Sequence, residues 1–277
     1  MVYPQKGQPA LAFFCFSAPE PMSDELPILY RDADFIAINK PSGLLVHRSM
    51  IDRHETRFAL QLLRDQIGQR VYPLHRLDKP TSGVLLFALS PEAARDAGEQ
   101  FAEKQLQKTY LAITRGYAPE SGVINHPLRE ELDKISDKNA QRDKPAQEAI
   151  TRFERLATTA QPFAIDRYPK SRFSLVQCQP LTGRKHQIRR HLKHISHPII
   201  GDAKHGKGNY NRYFAKHLNA GRLLLTAIEL ELTHPYTHER LVISAPLDGV
   251  FQSLITRFHW REALPQRWCK SLADNPM

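Results

Sequence analysis

The chain has 277 residues, 41% of them hydrophobic and 25% charged, with a formal net charge of +10. That composition excludes a disordered chain, and no apolar run approaches the roughly 18 residues a membrane-spanning helix needs. The three cysteines, Cys15, Cys178 and Cys269, lack CxxC spacing, which points to a reducing compartment (the cytoplasm) and away from structural zinc, while the positive balance points to a polyanionic partner.

In chain order, residues 1–22 stand apart. They carry Pro4, Pro9, Pro19 and Pro21 and a short apolar patch, Leu11 to Phe16, with no Ala-x-Ala-like cleavage site. A dispensable leader, or a start upstream of a true one at Met22, is expected. Phe35 to Ile38 reads as a strand running into the Asn39 to Gly43 turn. Phe58 to Ile67 has helical spacing, with Phe58, Leu62 and Leu63 apolar. Val84 to Leu89 is a continuous apolar run, as expected of a buried strand. Pro91 to Gln107, acidic at Glu92, reads as a helix. Tyr110 to Ile113, Arg172 to Gln179, Leu223 to Leu232 and Leu241 to Ala245 read as strands, and Lys185 to His194 as a helix. The stretch after Trp260 lacks periodicity. These elements predict an α+β fold: one domain over residues 23–262 around a mostly antiparallel mixed sheet with flanking helices, then a tail over 263–277.

Two stretches concentrate the chemistry. His75-Arg76-Leu77-Asp78-Lys79-Pro80-Thr81-Ser82-Gly83 holds one carboxylate on a tight turn just ahead of the buried strand, with cations beside it that favour the charged form. From Arg184 to Lys216 there are nine Lys and Arg residues against one acid, Asp202. Five histidines share that stretch, with Tyr210, Tyr213 and Phe214 close behind. Cations interleaved with aromatics suit phosphates and stacked bases. No HExxH or paired-cysteine pattern accompanies the histidines, so no metal is expected. A DNA-binding helix-turn-helix around Thr182 to Ile195 lacks a helix before it.

Four motifs together resemble the pseudouridine synthases, specifically the large branch that modifies ribosomal and transfer RNA. They are Lys40-Pro41-Ser42-Gly43-Leu44-Leu45-Val46-His47, the HRLDKPTSG loop, Lys108-Thr109-Tyr110, and Thr182-Gly183-Arg184-Lys185-His186-Gln187-Ile188-Arg189-Arg190-His191-Leu192. The resemblance runs from about Leu26 to Leu247. It implies that Asp78 is the catalytic residue, that Tyr110 stacks on the target base, and that Arg189 pairs with Asp78. In the first motif, Pro41, Gly43 and Val46 are expected to have structural roles. Ile188, Leu192 and Ile195 recur at spacings of four and three, a core-facing stripe with Arg189 beside it. Arg184, Lys185, Arg190 and Lys193 are left for phosphates. Arg76 is a candidate for the space left by a flipped nucleotide, and His186 for substrate contact.

His197-Pro198-Ile199-Ile200-Gly201-Asp202-Ala203-Lys204-His205-Gly206 follows the family's HPIxGDxxYG, with His205 in place of the tyrosine. That departure, the Glu131 to Lys138 insert and the Thr233 to Thr237 turn resemble a subgroup acting on transfer RNA at position 65. The resemblance implies isomerisation of uridine to pseudouridine without metal or cofactor, on a base extruded from its stem at a few kcal/mol of unstacking. It implies tRNA as partner, no membrane, no protein partner and a monomer. The alternatives are a sibling acting on large-subunit ribosomal RNA and a non-catalytic RNA-binding protein of the same fold. Binding alone, however, gives no reason to set a carboxylate among phosphates.

Overall fold

The computed structural model describes residues 25–48, 55–102, 106–130 and 145–268. The leader, the 131–138 insert, Cys15 and Cys269 lie outside the described residues. The chain begins with an antiparallel pair, β1 (Ile28–Arg31) and β2 (Phe35–Lys40). Their turn is shaped by Asp32, whose Oδ1 accepts from the backbone N–H of Asp34 at 2.8 Å and of Phe35 at 2.6 Å. Helix α1 (Ala59–Ile67) ends at Gly68 with φ 66°, the left-handed cap that glycine takes at no steric cost. The two-residue β3 (Tyr72–Pro73) and the loop holding Asp78 lead into β4 (Ser82–Ala88).

Every residue of β4 is buried. Leu85 and Phe87 pack with Ala59 and Leu63 of α1. Val84, Leu86 and Ala88 pack on the other face with Ala93 and Ala97 of α2 (Pro91–Ala102). A strand covered on both faces has no reason to alternate, hence its uninterrupted apolar run. The N-terminal turn of α2 is closed by Ser90 Oγ, which accepts from Ala93 N–H at 3.0 Å.

The second half supplies β5 (Gln107–Arg115), β6 (Ser121–Asn125), β7 (Ile150–Gln161), β8 (Ser171–Pro180), α3 (Gln187–His194), α4 (Gly208–His217), β9 (Leu225–Thr233), β10 (Arg240–Ser244) and α5 (Gly249–Arg257). The strands join one sheet in the order β1-β2-β4-β9-β5-β8-β7-β6, with β10 on β9 and β3 on β4. Among the pairings of these strands all are antiparallel except β4 with β9, which meet in parallel at Ser82 with Thr226 and Gly83 with Ala227. Gly83 has φ 110°, and a Cβ there would lie 2.1 Å from the Ala227 carbonyl oxygen, so only glycine lets the two strands approach. The largest core sits against β5 and β8, where Ile188 and Leu192 of α3, Tyr210 and Phe214 of α4 and Phe251 of α5 converge.

Several expectations change. The helix read through Gln107 is described over Pro91–Ala102, and Gln107 instead belongs to β5, where it pairs with Glu231 of β9. Tyr210 and Phe214, expected as base-stacking aromatics, are 6% and 0% exposed and belong to the core, because their spacing of four puts both on the inner side of α4. Packing continues beyond residue 262: Leu264 and Trp268 are buried, and Trp268 Nε1 donates to Glu229 Oε2 at 2.9 Å.

Candidate active site

The first motif is a clamp on the second. Lys40 is fully buried, and its Nζ donates to the carbonyl oxygens of Pro41 at 2.9 Å, Leu44 at 2.7 Å and Lys79 at 3.2 Å. Burial pushes its pKa down to about 7, with Arg222 nearby acting in the same direction and Asp78 opposing. Ser42 Oγ donates to Pro80 O at 2.7 Å, and Gly43 N–H to Lys79 O at 2.8 Å. From the other side, His75 Nε2 accepts the Leu86 N–H at 3.1 Å, pinning the start of the loop to β4. Asp78 is thus fixed by its neighbours' backbone, and its own carbonyl accepts from Thr81 N–H at 2.9 Å to close the turn.

Arg189 comes to it from α3. Its Nη1 donates to Asp78 Oδ2 at 2.9 Å, while Nε and Nη2 reach Asp202 Oδ2 at 2.7 Å and Oδ1 at 2.9 Å. Asp202 is 1% exposed. Burial alone would raise its pKa, but the Arg189 hydrogen bond and the backbone N–H of His205 and Lys204 hold it below the ordinary carboxylate value. His186 also approaches the carboxylate, its Nε2 3.9 Å from Asp78 Oδ2. Its backbone is left-handed at φ 56°, a conformation that costs a non-glycine residue on the order of 1 kcal/mol. Gln187 holds the preceding turn: its Oε1 accepts from Thr182 Oγ1 at 2.7 Å and Arg184 N–H at 3.0 Å, and its Nε2 donates to Ile150 O at 3.0 Å.

These groups open into a cleft of about 1460 Å³ lined by Asp78, Tyr110, Arg189, Arg76, Arg184, Lys185 and His186. Seven of the nine residues expected at the site therefore meet there. Arg190 and Lys193 do not line it: Arg190 Nη1 is turned to the Arg129 carbonyl at 2.9 Å, and Lys193 lies one helical turn beyond Arg189. Lys108 lines the cleft and was missed. Its i, i+2 relation to Tyr110 on β5 was the available signal, since alternate strand residues share a face. Burial pushes the Lys108 ammonium down to about 8. The Tyr110 phenol is pushed up by burial and by Asp78, so it keeps its proton. Asp202 was read only as a motif letter.

Among the described residues one group has metal-like composition, Asp32, Asp34 and His234, none of which lines the cleft. His234 Nδ1 accepts from the N–H of Tyr236 and Thr237, both at 3.2 Å, so Nε2 carries the proton and donates to Asp32 Oδ2 at 3.0 Å. Neither nitrogen keeps a lone pair for a cation.

The family model described as RNA pseudouridylate synthase matches residues 34–194. The chain is 52% identical over 240 residues to tRNA pseudouridine synthase C of Vibrio parahaemolyticus, covering 87% of this chain and 98% of that protein. It is 54% identical over 235 residues to tRNA pseudouridine synthase C of Pasteurella multocida, covering 85% and 97%. Among solved structures it resembles Human RNA Pseudouridylate Synthase Domain Containing 1, with TM-score 0.64 and 25% identity over 87% of this chain and 98% of that one. Human RNA Pseudouridylate Synthase Domain Containing 4 gives TM-score 0.63 and 28% identity over 84% and 93%.

Proposed function

The chain belongs to the RNA pseudouridylate synthase family, and we propose that it converts one uridine of tRNA, at position 65 in the T stem, to pseudouridine. It is an isomerase. The N1–C1′ bond breaks, the uracil turns in place, C5 joins C1′, the C5 proton leaves and N1 takes one up. The observation that carries this reading is Arg189 Nη1 at 2.9 Å from Asp78 Oδ2, in a cleft that Tyr110 also lines.

In this reading Asp78 is the reacting carboxylate, acting at C1′, at C6 or on the C2′ proton, and Arg189 holds it charged. Tyr110, its phenol protonated, stacks on the extruded base. Arg76 occupies the gap left in the stem, and Arg184, Lys185 and His186 contact the backbone around the flipped nucleotide. Phosphate contacts must offset the few kcal/mol of unstacking, so affinity falls with salt. The identity to enzymes named for tRNA supports tRNA over ribosomal RNA as substrate. The setting we propose is a cytoplasmic monomer with one catalytic domain. No described helix is long and apolar enough to cross a membrane.

The test is tritium release from C5-labelled uridine, on bulk tRNA and separately on ribosomal RNA. Release from tRNA that disappears in Asp78→Ala, with RNA binding retained, is the expected result. Release from ribosomal RNA alone would overturn the tRNA assignment.

A further inference from the structure

Two residues of one turn stand behind both side chains that approach Asp78. Asp202 grips Arg189 through Nε and Nη2. Two bonds to one carboxylate fix the plane of a guanidinium, so the direction of the remaining Nη1 is fixed as well. Three residues on, the His205 ring meets His186, with Nε2 of the former 3.1 Å from Nδ1 of the latter. One of these nitrogens donates and the other accepts, which sets the rotation of the His186 ring.

The turn itself is rigid. Asp202 Oδ1 accepts from the N–H of Lys204 at 3.0 Å and of His205 at 2.9 Å, and the Asp202 carbonyl accepts from Gly206 N–H at 3.0 Å and Asn211 Nδ2 at 2.9 Å. A Cβ on Gly206 would lie 2.3 Å from the Asp202 oxygen, so the turn closes only over glycine. His205 is 6% exposed, sealed within the protein rather than offered to solvent.

Both side chains so held approach the same oxygen. Arg189 Nη1 is 2.9 Å and His186 Nε2 3.9 Å from Oδ2 of Asp78. We propose that the Asp202–His205 turn is a positioning element that engages Oδ2 of Asp78 through two side chains and leaves Oδ1 to face the substrate. This rests on Asp78 being the reacting group. The left-handed backbone of His186 fits the proposal, since strain of that kind persists where the surroundings over-determine a side chain's position. The sequence signal was His205 standing where the related motif carries tyrosine: a phenol hydroxyl can also bond to His186 Nδ1, so the support survives the change of residue.

The test is single-turnover tritium release by the full chain on an RNA the wild type modifies, with RNA affinity and thermal melting measured beside it. His205→Phe keeps the ring's bulk and loses its hydrogen bond. We expect its rate to fall on the order of 10-fold to 100-fold, the scale of a small misplacement of a reacting group, at unchanged affinity and with melting lowered by no more than the loss of one buried hydrogen bond. His205→Tyr restores most of the rate. Asp202→Asn, which puts an amide against Arg189, falls at least as far as His205→Phe. A His205→Phe protein as fast as wild type overturns the inference and leaves the reading of Asp78 intact. Rate, affinity and melting lost together in both His205 variants also overturn it, because the turn would then be merely structural. A wild type that releases no tritium from any RNA removes the underlying reading and the inference with it.

Discussion

Arg189 is bonded to Asp78 at 2.9 Å although 111 positions separate them in the chain, and the same guanidinium closes a second ion pair with the buried Asp202. Removing a partner from a buried pair costs more than the pair contributes, because the remaining charge is left desolvated. Arg189→Met is expected to destabilise the protein by about 3 to 5 kcal/mol. At roughly 2 to 4 °C per kcal/mol for a chain of this size, that is a fall of about 10 °C in melting temperature. The double variant Arg189→Met with Asp202→Asn recovers part of the loss. Thermal melting of the three proteins checks this, and simple additivity of the two single losses would contradict it.

Acid stability follows from the same aspartate. The folded pKa of Asp202 is held below its ordinary value, against burial, by Arg189 and two backbone N–H groups. A depressed folded pKa gives stability that is present above the unfolded value of about 3.9 and is lost as pH falls through the lower folded value. Glu229, held down by Arg267 and the Trp268 N–H against its burial, adds to the same acid limb. Melting temperature should therefore fall steeply below about pH 4, and more gently in Asp202→Asn. Equal slopes would mean that Asp202 carries no such linkage.

At Tyr110, burial and Asp78 keep the phenol protonated, which makes it a poor base and leaves its ring as the useful part. Tyr110→Phe is expected to keep kcat within about 10-fold of wild type, while Tyr110→Ala loses a stacking contact of about 1 to 3 kcal/mol. Steady-state tritium release measures both. Equal collapse of the two variants would assign the work to the hydroxyl.

Lys40 places its three donors on three carbonyls and through Lys79 ties the first motif to the Asp78 loop. Lys40→Met fills similar space but leaves those carbonyls without a donor, at about 1 to 3 kcal/mol for each one that stays buried. The expected result is a lower melting temperature and a lower kcat, with RNA affinity little changed. Full kcat in a destabilised Lys40→Met protein would show that the clamp supports the fold without aiming Asp78.

How much of this was legible in the sequence depended on how local each signal was. The apolar run of β4, the glycine-bearing turn before α3 and the stripe of Ile188 and Leu192 are set by residues within a few positions of one another. Strand β7 was not seen, because its sequence, ITRFERLATTAQ, mixes charges with small polar residues and becomes a strand by pairing with β6 and β8. Helix α4 opens with Gly and Asn, poor helix formers, and is held by burying Tyr210 and Phe214. At the site, the motifs named Asp78, Tyr110 and Arg189, and all three line one cleft. Arg190 and Lys193 were grouped with them by sequence proximity, which ignores the direction in which a helix turns and advances. The role of Asp202 rests on its two bonds to Arg189, thirteen positions away, which no periodicity connects.

Strands β4 and β5 follow one another along the chain with α2 between them, yet β9 separates them in the sheet. During synthesis the ribosome therefore releases both flanks of the sheet long before the strand that joins them. Until residues 225–233 emerge, the edges of β4 and β5 stay unsatisfied, and Trp268 comes later still. Cooperative folding is withheld until almost the whole chain is free, as expected where non-local pairings dominate. Nascent chains stalled before Leu225 should be cut readily by protease, and chains released past Trp268 should resist it.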